Sequence, residues 1–171
     1  RRQWVFVVVL LVIGVAAAAI RAHITAARRG YSDTRGATVV HYTLASRLLG
    51  RSLSEIGVVP AGGGRRPLLV LLHGRHDPSP VSWLIPSKTG PESLLSNQFF
   101  RALASLGARA PVVVLVNGGG HSYYHDRKDG PWASTILREA IPDAVRRFRT
   151  VTGRIAIGGE SMGGYGALHL A

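Results

Sequence analysis

The pentapeptide Gly159-Glu160-Ser161-Met162-Gly163 constrains this chain more than any other stretch. It follows an apolar, strand-like run at residues 154–157 and opens the small-residue helix Met162-Gly163-Gly164-Tyr165-Gly166-Ala167-Leu168. A strand that turns at once into a helix leaves its turn residue at a strained backbone position, with the side chain projecting from the carboxyl edge of the sheet. Gly159 and Gly163 suit such a turn, because neighbouring segments can approach where a Cβ would clash. The helix start beneath Ser161 offers backbone N–H groups, that of Met162 among them, and the positive end of the helix dipole. Ser161 is therefore the candidate nucleophile and the Met162 N–H a candidate oxyanion donor. An N-cap Ser in an ordinary Gly-rich turn is the alternative that this context disfavours.

The remaining chain alternates apolar runs with helical patterns, the signature of an α/β layered fold. Residues 39–46 and 52–59 are two strand-like runs separated by Leu49-Gly50-Arg51, which predicts a hairpin ended by Pro60. Residues 61–66 form a Gly-rich loop without the G-K-[ST] ending of a phosphate-binding loop, so no nucleotide is assigned to it. Residues 67–72, 111–116 and 154–157 are continuous apolar runs, as expected of strands buried on both faces. Helical spacing is present over residues 91–106 and 133–148, the latter carrying Ile136, Leu137, Ile141 and Val145 opposite its arginines. Pro142 lies inside that second pattern and should kink or break it.

The first buried strand ends in Leu71-Leu72-His73-Gly74-Arg75. An amide just past a strand end, made accessible by Gly74, suits a second oxyanion donor, and the Arg75 N–H is nominated for it. His73 is read as a strand-end packing histidine rather than a proton carrier. His121 and His125 have i, i+4 spacing before Asp126, but Gly118-Gly119-Gly120 makes the segment a loop and the Glu of a zinc helix is absent. The His73, His76 and Asp77 cluster matches no metal spacing either. No metal or cofactor is expected. Asp126, Arg127, Lys128 and Asp129 read as a solvated, mutually paired turn before Gly130-Pro131.

A formal net charge of +12 invites a nucleic-acid or anionic-membrane partner. Of the 21 basic residues only Lys88 and Lys128 are lysines, and the arginines are scattered along the chain. No stretch interleaves basic and aromatic residues as a single-strand platform would, so nucleic acid is set aside. With no cysteine, disulfides, thiolate metal sites and Cys nucleophiles are excluded. Residues 4–20 form an unbroken apolar run flanked by Arg1-Arg2 and Arg21, about 25 Å long as a helix. A basic start, an apolar centre and small residues 16–19 describe either a secretory signal or a membrane anchor, giving residues 1–30 as that segment plus linker. Residues 36–171 are then the folded domain, working outside the cytoplasm as a secreted or anchored protein.

The motifs from about residue 38 onward resemble the esterase family of α/β-hydrolases, which includes esterase D-type enzymes, feruloyl esterases and antigen 85-type mycolyltransferases. The resemblance is carried by Ser46-Arg47-Leu48-Leu49-Gly50-Arg51 with Val58-Val59-Pro60, the Leu-Leu-His-Gly turn, Asn117-Gly118-Gly119-Gly120-His121-Ser122-Tyr123-Tyr124, and the Ser161 motif, which is the most specific. It implies an α/β-hydrolase three-layer sandwich, truncated after the nucleophile-elbow helix and preceded by the N-terminal hydrophobic helix. It implies Ser161 as nucleophile, with the Met162 and Arg75 amides as oxyanion hole. It also places Ser122, Tyr123 and Tyr124 at the rim of the acyl or alcohol pocket, with His121 in the same polar loop at its mouth.

The triad order of that fold is Ser, then Asp or Glu, then His. Ten residues follow Ser161, and His169 is the sole histidine among them. Eight residues along a helix it stands about 12 Å away and cannot be the base. The acid and base are expected beyond residue 171, and the 171-residue chain by itself is expected to be inactive. The expected activity is hydrolysis of carboxylic esters, on a small-molecule, lipid or carbohydrate ester, through an acyl-enzyme on Ser161. The alternatives are an acyltransferase of mycolyltransferase type and a membrane-anchored, non-catalytic binding module on a hydrolase scaffold. An acid and a His at downstream strand ends would separate the last from the first two.

Overall fold

The computed structural model describes residues 30–75 and 90–171, together with Gly14, Val15, Ala17 and Ala18. The signal or anchor expected over residues 4–20, most of the linker, and His76 and Asp77 lie outside the described residues. Among the described residues no helix is long and apolar enough to cross a membrane.

Strands β1 (Thr38–Ser46) and β2 (Arg51–Val59) form the expected hairpin, with Thr38 opposite Val59 and Ser46 opposite Arg51. Its turn is fixed from a distance. The Ser46 hydroxyl donates to Glu139 at 2.6 Å, and the Arg47 and Leu48 amides donate to the same carboxylate at 3.0 and 3.2 Å. Strands β3 (Leu68–Leu72) and β4 (Val112–Val116) are parallel neighbours, and β4 pairs antiparallel with β2. Two-residue strands β5 (Asp126–Arg127) and β6 (Gly130–Pro131) make a small separate ladder. Strand β7 (Ile155–Gly159) lies parallel to β3 on its other side, so the main sheet runs β1-β2-β4-β3-β7.

Because side chains alternate across a strand, the apolar runs of β3 and β4 feed two cores. Val70, Leu72, Val112, Val114 and Val116 pack on one face with Tyr124, Trp132, Ile136 and Met162. Val113, Leu115, Ile56 and Val58 pack on the other with Phe100 and Leu103 of helix α1 (Asn97–Ser105). Helices thus cover both faces of a mixed sheet, giving three layers. Each fully buried branched or aromatic side chain contributes about 1.5–3 kcal/mol.

The single helical stretch expected over residues 91–106 is two elements. A 3-10 turn, Gly90–Leu94, precedes Ser96, whose hydroxyl caps α1 by accepting from the Phe99 amide at 3.1 Å. The stretch over 133–148 is a composite: α2 (Trp132–Thr135), a π-helical turn over Ile136–Ala140, and α3 (Ile141–Arg147). Pro142 accounts for the wide turn. Its ring would press on the carbonyl four residues back, and the π turn opens the spiral there without ending it. Leu137, expected on the core face, is 44% exposed, because the buried stripe is Ile136, Ala140, Ile141 and Ala144.

Strand β7 departs from expectation in burial rather than in place. Its run was expected to be buried on both faces, yet Ile155 is 41% exposed and Ala156 is exposed too. The reason is position: β7 is the last strand of the sheet among the described residues, with β3 on one side only.

Candidate active site

Strands β3, β4 and β7 run in the same direction, so their carboxyl ends meet at one edge of the sheet. Open parallel sheets bind their ligands at that edge. Here it carries His73-Gly74-Arg75 after β3, Asn117–Gly120 after β4, and Ser161 between β7 and helix α4 (Met162–Leu170).

Ser161 has φ 52° and ψ −116°, a conformation L-residues rarely hold. The turn around it is tight: the Glu160 amide donates to the Leu72 carbonyl at 3.1 Å, and the Gly163 amide donates back to Glu160 at 2.7 Å. The glycines make that turn possible. A Cβ on Gly159 would stand 2.5 Å from the Gly163 carbonyl, and one on Gly163 would overlap the Leu72 carbonyl. Gly74 faces the same turn, its place for a Cβ lying 3.6 Å from both the Ser161 Cβ and the Glu160 carbonyl oxygen. The structure therefore brings together Ser161, the first amides of α4 beginning at Met162, and the segment carrying Arg75.

His73 is completely buried. Its Nε2 accepts from the Gly118 amide at 3.3 Å, so Nδ1 carries the proton and donates to the Gly74 carbonyl at 2.8 Å. The ring ties the loop after β3 to the loop after β4, which agrees with its reading as a packing residue. Both ring nitrogens face backbone, and neither is directed by these contacts toward Ser161. Beside it, Tyr124 donates its hydroxyl to the His73 carbonyl at 3.0 Å.

The four residues expected at the pocket rim divide by depth. Tyr123 lines a cleft of about 510 Å3 together with His125, Arg127, Ser161, Met162 and Tyr165. His121 is exposed at the mouth, where its Nδ1 accepts from Arg75 Nε at 3.0 Å. Ser122 and Tyr124 lie beneath the cleft instead, 1% and 0% exposed. Ser122 donates its hydroxyl to the Gly118 carbonyl and accepts from the Tyr124 amide, so its polar capacity is spent on the loop. The Tyr124 ring fills the space above Gly118 and Gly166, where any Cβ would overlap it. These two residues shape the cleft floor without lining it.

The sequence did not place Arg127 or Tyr165 in the cleft, whereas His125 belongs to the same polar loop as His121, at its mouth. Tyr165 follows Ser161 by one helical turn, a spacing that could have signalled a shared face. Its ring packs on Tyr123 and His125, at centroid distances of 6.1 and 5.5 Å, and His125 stacks on His169 at 3.7 Å. His125 is held below the usual histidine range by desolvation and by the neighbouring His169 and Arg127. His169, rejected as a base from its spacing, stands behind His125 rather than among the residues lining the cleft. Among the described residues no hydrogen bond reaches the Ser161 hydroxyl.

The turn at residues 126–129 is not the mutually paired charge cluster expected of it. The Asp126 carboxylate accepts from the Ser134 amide and hydroxyl at 2.9 and 2.6 Å, and these bonds hold it below the usual carboxylate range. Arg127 turns the other way, toward the His121 carbonyl and the Tyr123 ring. Among the described residues no three His, Asp or Glu side chains converge as metal ligands would.

Comparisons with known proteins bear on the family and the fold. The family model described as "Putative esterase" matches residues 54–171. No curated protein matches the chain. Among solved structures, a ferulic acid esterase is 26% identical with a TM-score of 0.58, covering 77% of this chain and 52% of its own. An S-formylglutathione hydrolase from Agrobacterium tumefaciens is 21% identical at TM-score 0.56, covering 80% and 53%. MPT51 (FbpC1) of Mycobacterium tuberculosis is 22% identical at 0.53, covering 78% and 45%. The last two likenesses show a shared fold. The chain spans about half the length of each of these structures.

Proposed function

The chain belongs to the esterase family, and on that premise we propose that it carries the nucleophile of a serine-dependent carboxylic ester hydrolase. One observation bears most of the weight: Ser161 sits at φ 52° between a parallel strand and a helix N-terminus, with Gly74 packed against it. In the proposed reaction the Ser161 oxygen attacks the ester carbonyl carbon as its proton passes to a histidine. The carbonyl oxygen becomes an oxyanion facing the Met162 and Arg75 amides. Collapse expels the alcohol, which takes the proton, and water then releases the acid from the acyl-enzyme.

The histidine and its carboxylate partner come, in this proposal, from outside residues 1–171. His125 lines the cleft, but among the described residues no carboxylate is hydrogen-bonded to it, and the adjacent Asp126 is engaged by Ser134. The purified 171-residue polypeptide should then show no p-nitrophenyl acetate turnover above background. Turnover by that polypeptide, lost on Ser161→Ala, would sink this part of the proposal and place the base within it. Export by residues 4–20 is a separate proposal, checked by fractionating cells that express the native gene product.

A further inference from the structure

This inference rests on the ester chemistry proposed above and concerns what else the cleft selects. Arg127 stands in the cleft wall with Ser161, and the proposed reaction makes no use of it. Its Nη1 donates to the His121 carbonyl at 3.2 Å, and its guanidinium carbon lies 5.9 Å from the centre of the Tyr123 ring. These contacts fix the head group while using one of its five N–H donors. Among the described residues no carboxylate is within ion-pair distance of it. The acid beside it in sequence, Asp126, is turned away onto Ser134.

The backbone spends strain to build this wall. Tyr123 and Tyr124 are consecutive non-glycine residues at φ 51° and 58°, in the left-handed region that L side chains rarely adopt. The double left-handed turn sends Tyr124 into the core and Tyr123 onto Tyr165, edge to face at 82°. The product is an aromatic surface that begins one helical turn from Ser161 and ends under a guanidinium. A planar guanidinium fork matches the two oxygens of a carboxylate, and the tyrosine faces suit the carbon chain or ring leading up to it.

We propose that Arg127 is a specificity-determining residue that selects esters bearing a carboxylate on the portion lying along Tyr123. A pair of amide ligands with no ester bond tests this on the native gene product containing these residues: N-phenylsuccinamic acid, ionised at neutral pH, and its neutral primary amide, N-phenylsuccinamide. Titration calorimetry in low-salt buffer should give about tenfold tighter binding of the acid, a gap that added salt narrows. Arg127→Gln should bring the acid to the level of the neutral amide, whose own binding carries no charge for Arg127 to recognise. The residue is exposed, so the variant should keep its fold, which circular dichroism checks. Equal binding of the two ligands, a preference that survives Arg127→Gln, or no saturable binding of the acid overturns the proposal. Since no turnover is read, that failure is distinct from failure of the esterase reading, which would show as ester hydrolysis unaffected by Ser161→Ala.

Discussion

Gly74 faces Ser161 so closely that a methyl group on it would stand 3.6 Å from the Ser161 Cβ. That distance is ordinary van der Waals contact, so the space beside the serine is open to one added carbon but would then be filled by it. The loop after β3 and the turn after β7 are neighbours through this pair. Gly74→Ala should therefore fold with little change in thermal midpoint, while crowding the place where an ester carbonyl would lie. In the native gene product we expect ester turnover to fall about tenfold or more, because small misplacements at a reacting centre are costly. Unchanged turnover in a normally folded variant would count against the assignment of this space.

Gly163 answers to a different constraint, since its missing Cβ is occupied by the Leu72 carbonyl. Gly163→Ala forces α4 away from β3 and should destabilise the chain by about 3 kcal/mol. Gly164, one residue on, meets only the Gly159 carbonyl oxygen at 3.4 Å, and Gly164→Ala should be nearly neutral. Urea unfolding of the two variants gives the comparison, and equal effects would contradict the packing described.

Arg66 is buried with no carboxylate partner among the described residues, yet its guanidinium is the hub of the loops under α1. Nε donates to Gly63, Nη2 to Ala61, and Nη1 lies 3.0–3.3 Å from the carbonyls of Gly107, Ala108 and Ala110. A lysine carries the same charge but not the fork, so Arg66→Lys leaves buried carbonyls unmatched. The expected loss is about 2–4 kcal/mol in urea unfolding. A loss below about 1 kcal/mol would mean that water replaces the fork without penalty.

Glu55 makes the stability depend on pH. It is 1% exposed, Oε2 accepts from the Asn117 amide at 2.9 Å, and Oε1 has no hydrogen-bond partner among the described residues. Burial pushes its carboxyl up to about 8, against the opposing pull of the Asn117 bond. The folded state thus keeps a proton that the unfolded chain releases near 4.5. Its contribution is fully present below that lower value and is lost as pH rises toward 8, by a few kcal/mol in all. Glu55→Gln keeps the acceptor without the charge, so its thermal midpoint should fall less than that of the unaltered chain between about pH 5 and pH 8. Parallel curves for the two proteins would contradict this.

The elbow was legible because its constraints are local: Gly159 and Gly163 flank the serine in sequence, and an apolar run and a small-residue helix flank the glycines. The hairpin and the β3 and β4 strands were legible for the same reason, through periodicity and a turn glycine. What stayed hidden depends on partners far along the chain. Glu139 locks the hairpin turn from 92 and 91 residues away, and Arg66 gathers carbonyls more than 40 residues on. The division of Ser122, Tyr123 and Tyr124 between floor and wall depends on two positive φ values, which residue type alone does not announce. The exposure of β7 follows from its place in the sheet order, not from its apolar sequence.

The central claim is that Ser161 is the nucleophile, and the most direct measurement is the site of covalent labelling. The native gene product containing these residues should be treated with a fluorophosphonate and its peptides mapped by mass spectrometry. The account predicts a single phosphonyl group on Ser161, absent after Ser161→Ala together with ester turnover. A label on any other residue, or turnover that persists in Ser161→Ala, would contradict it.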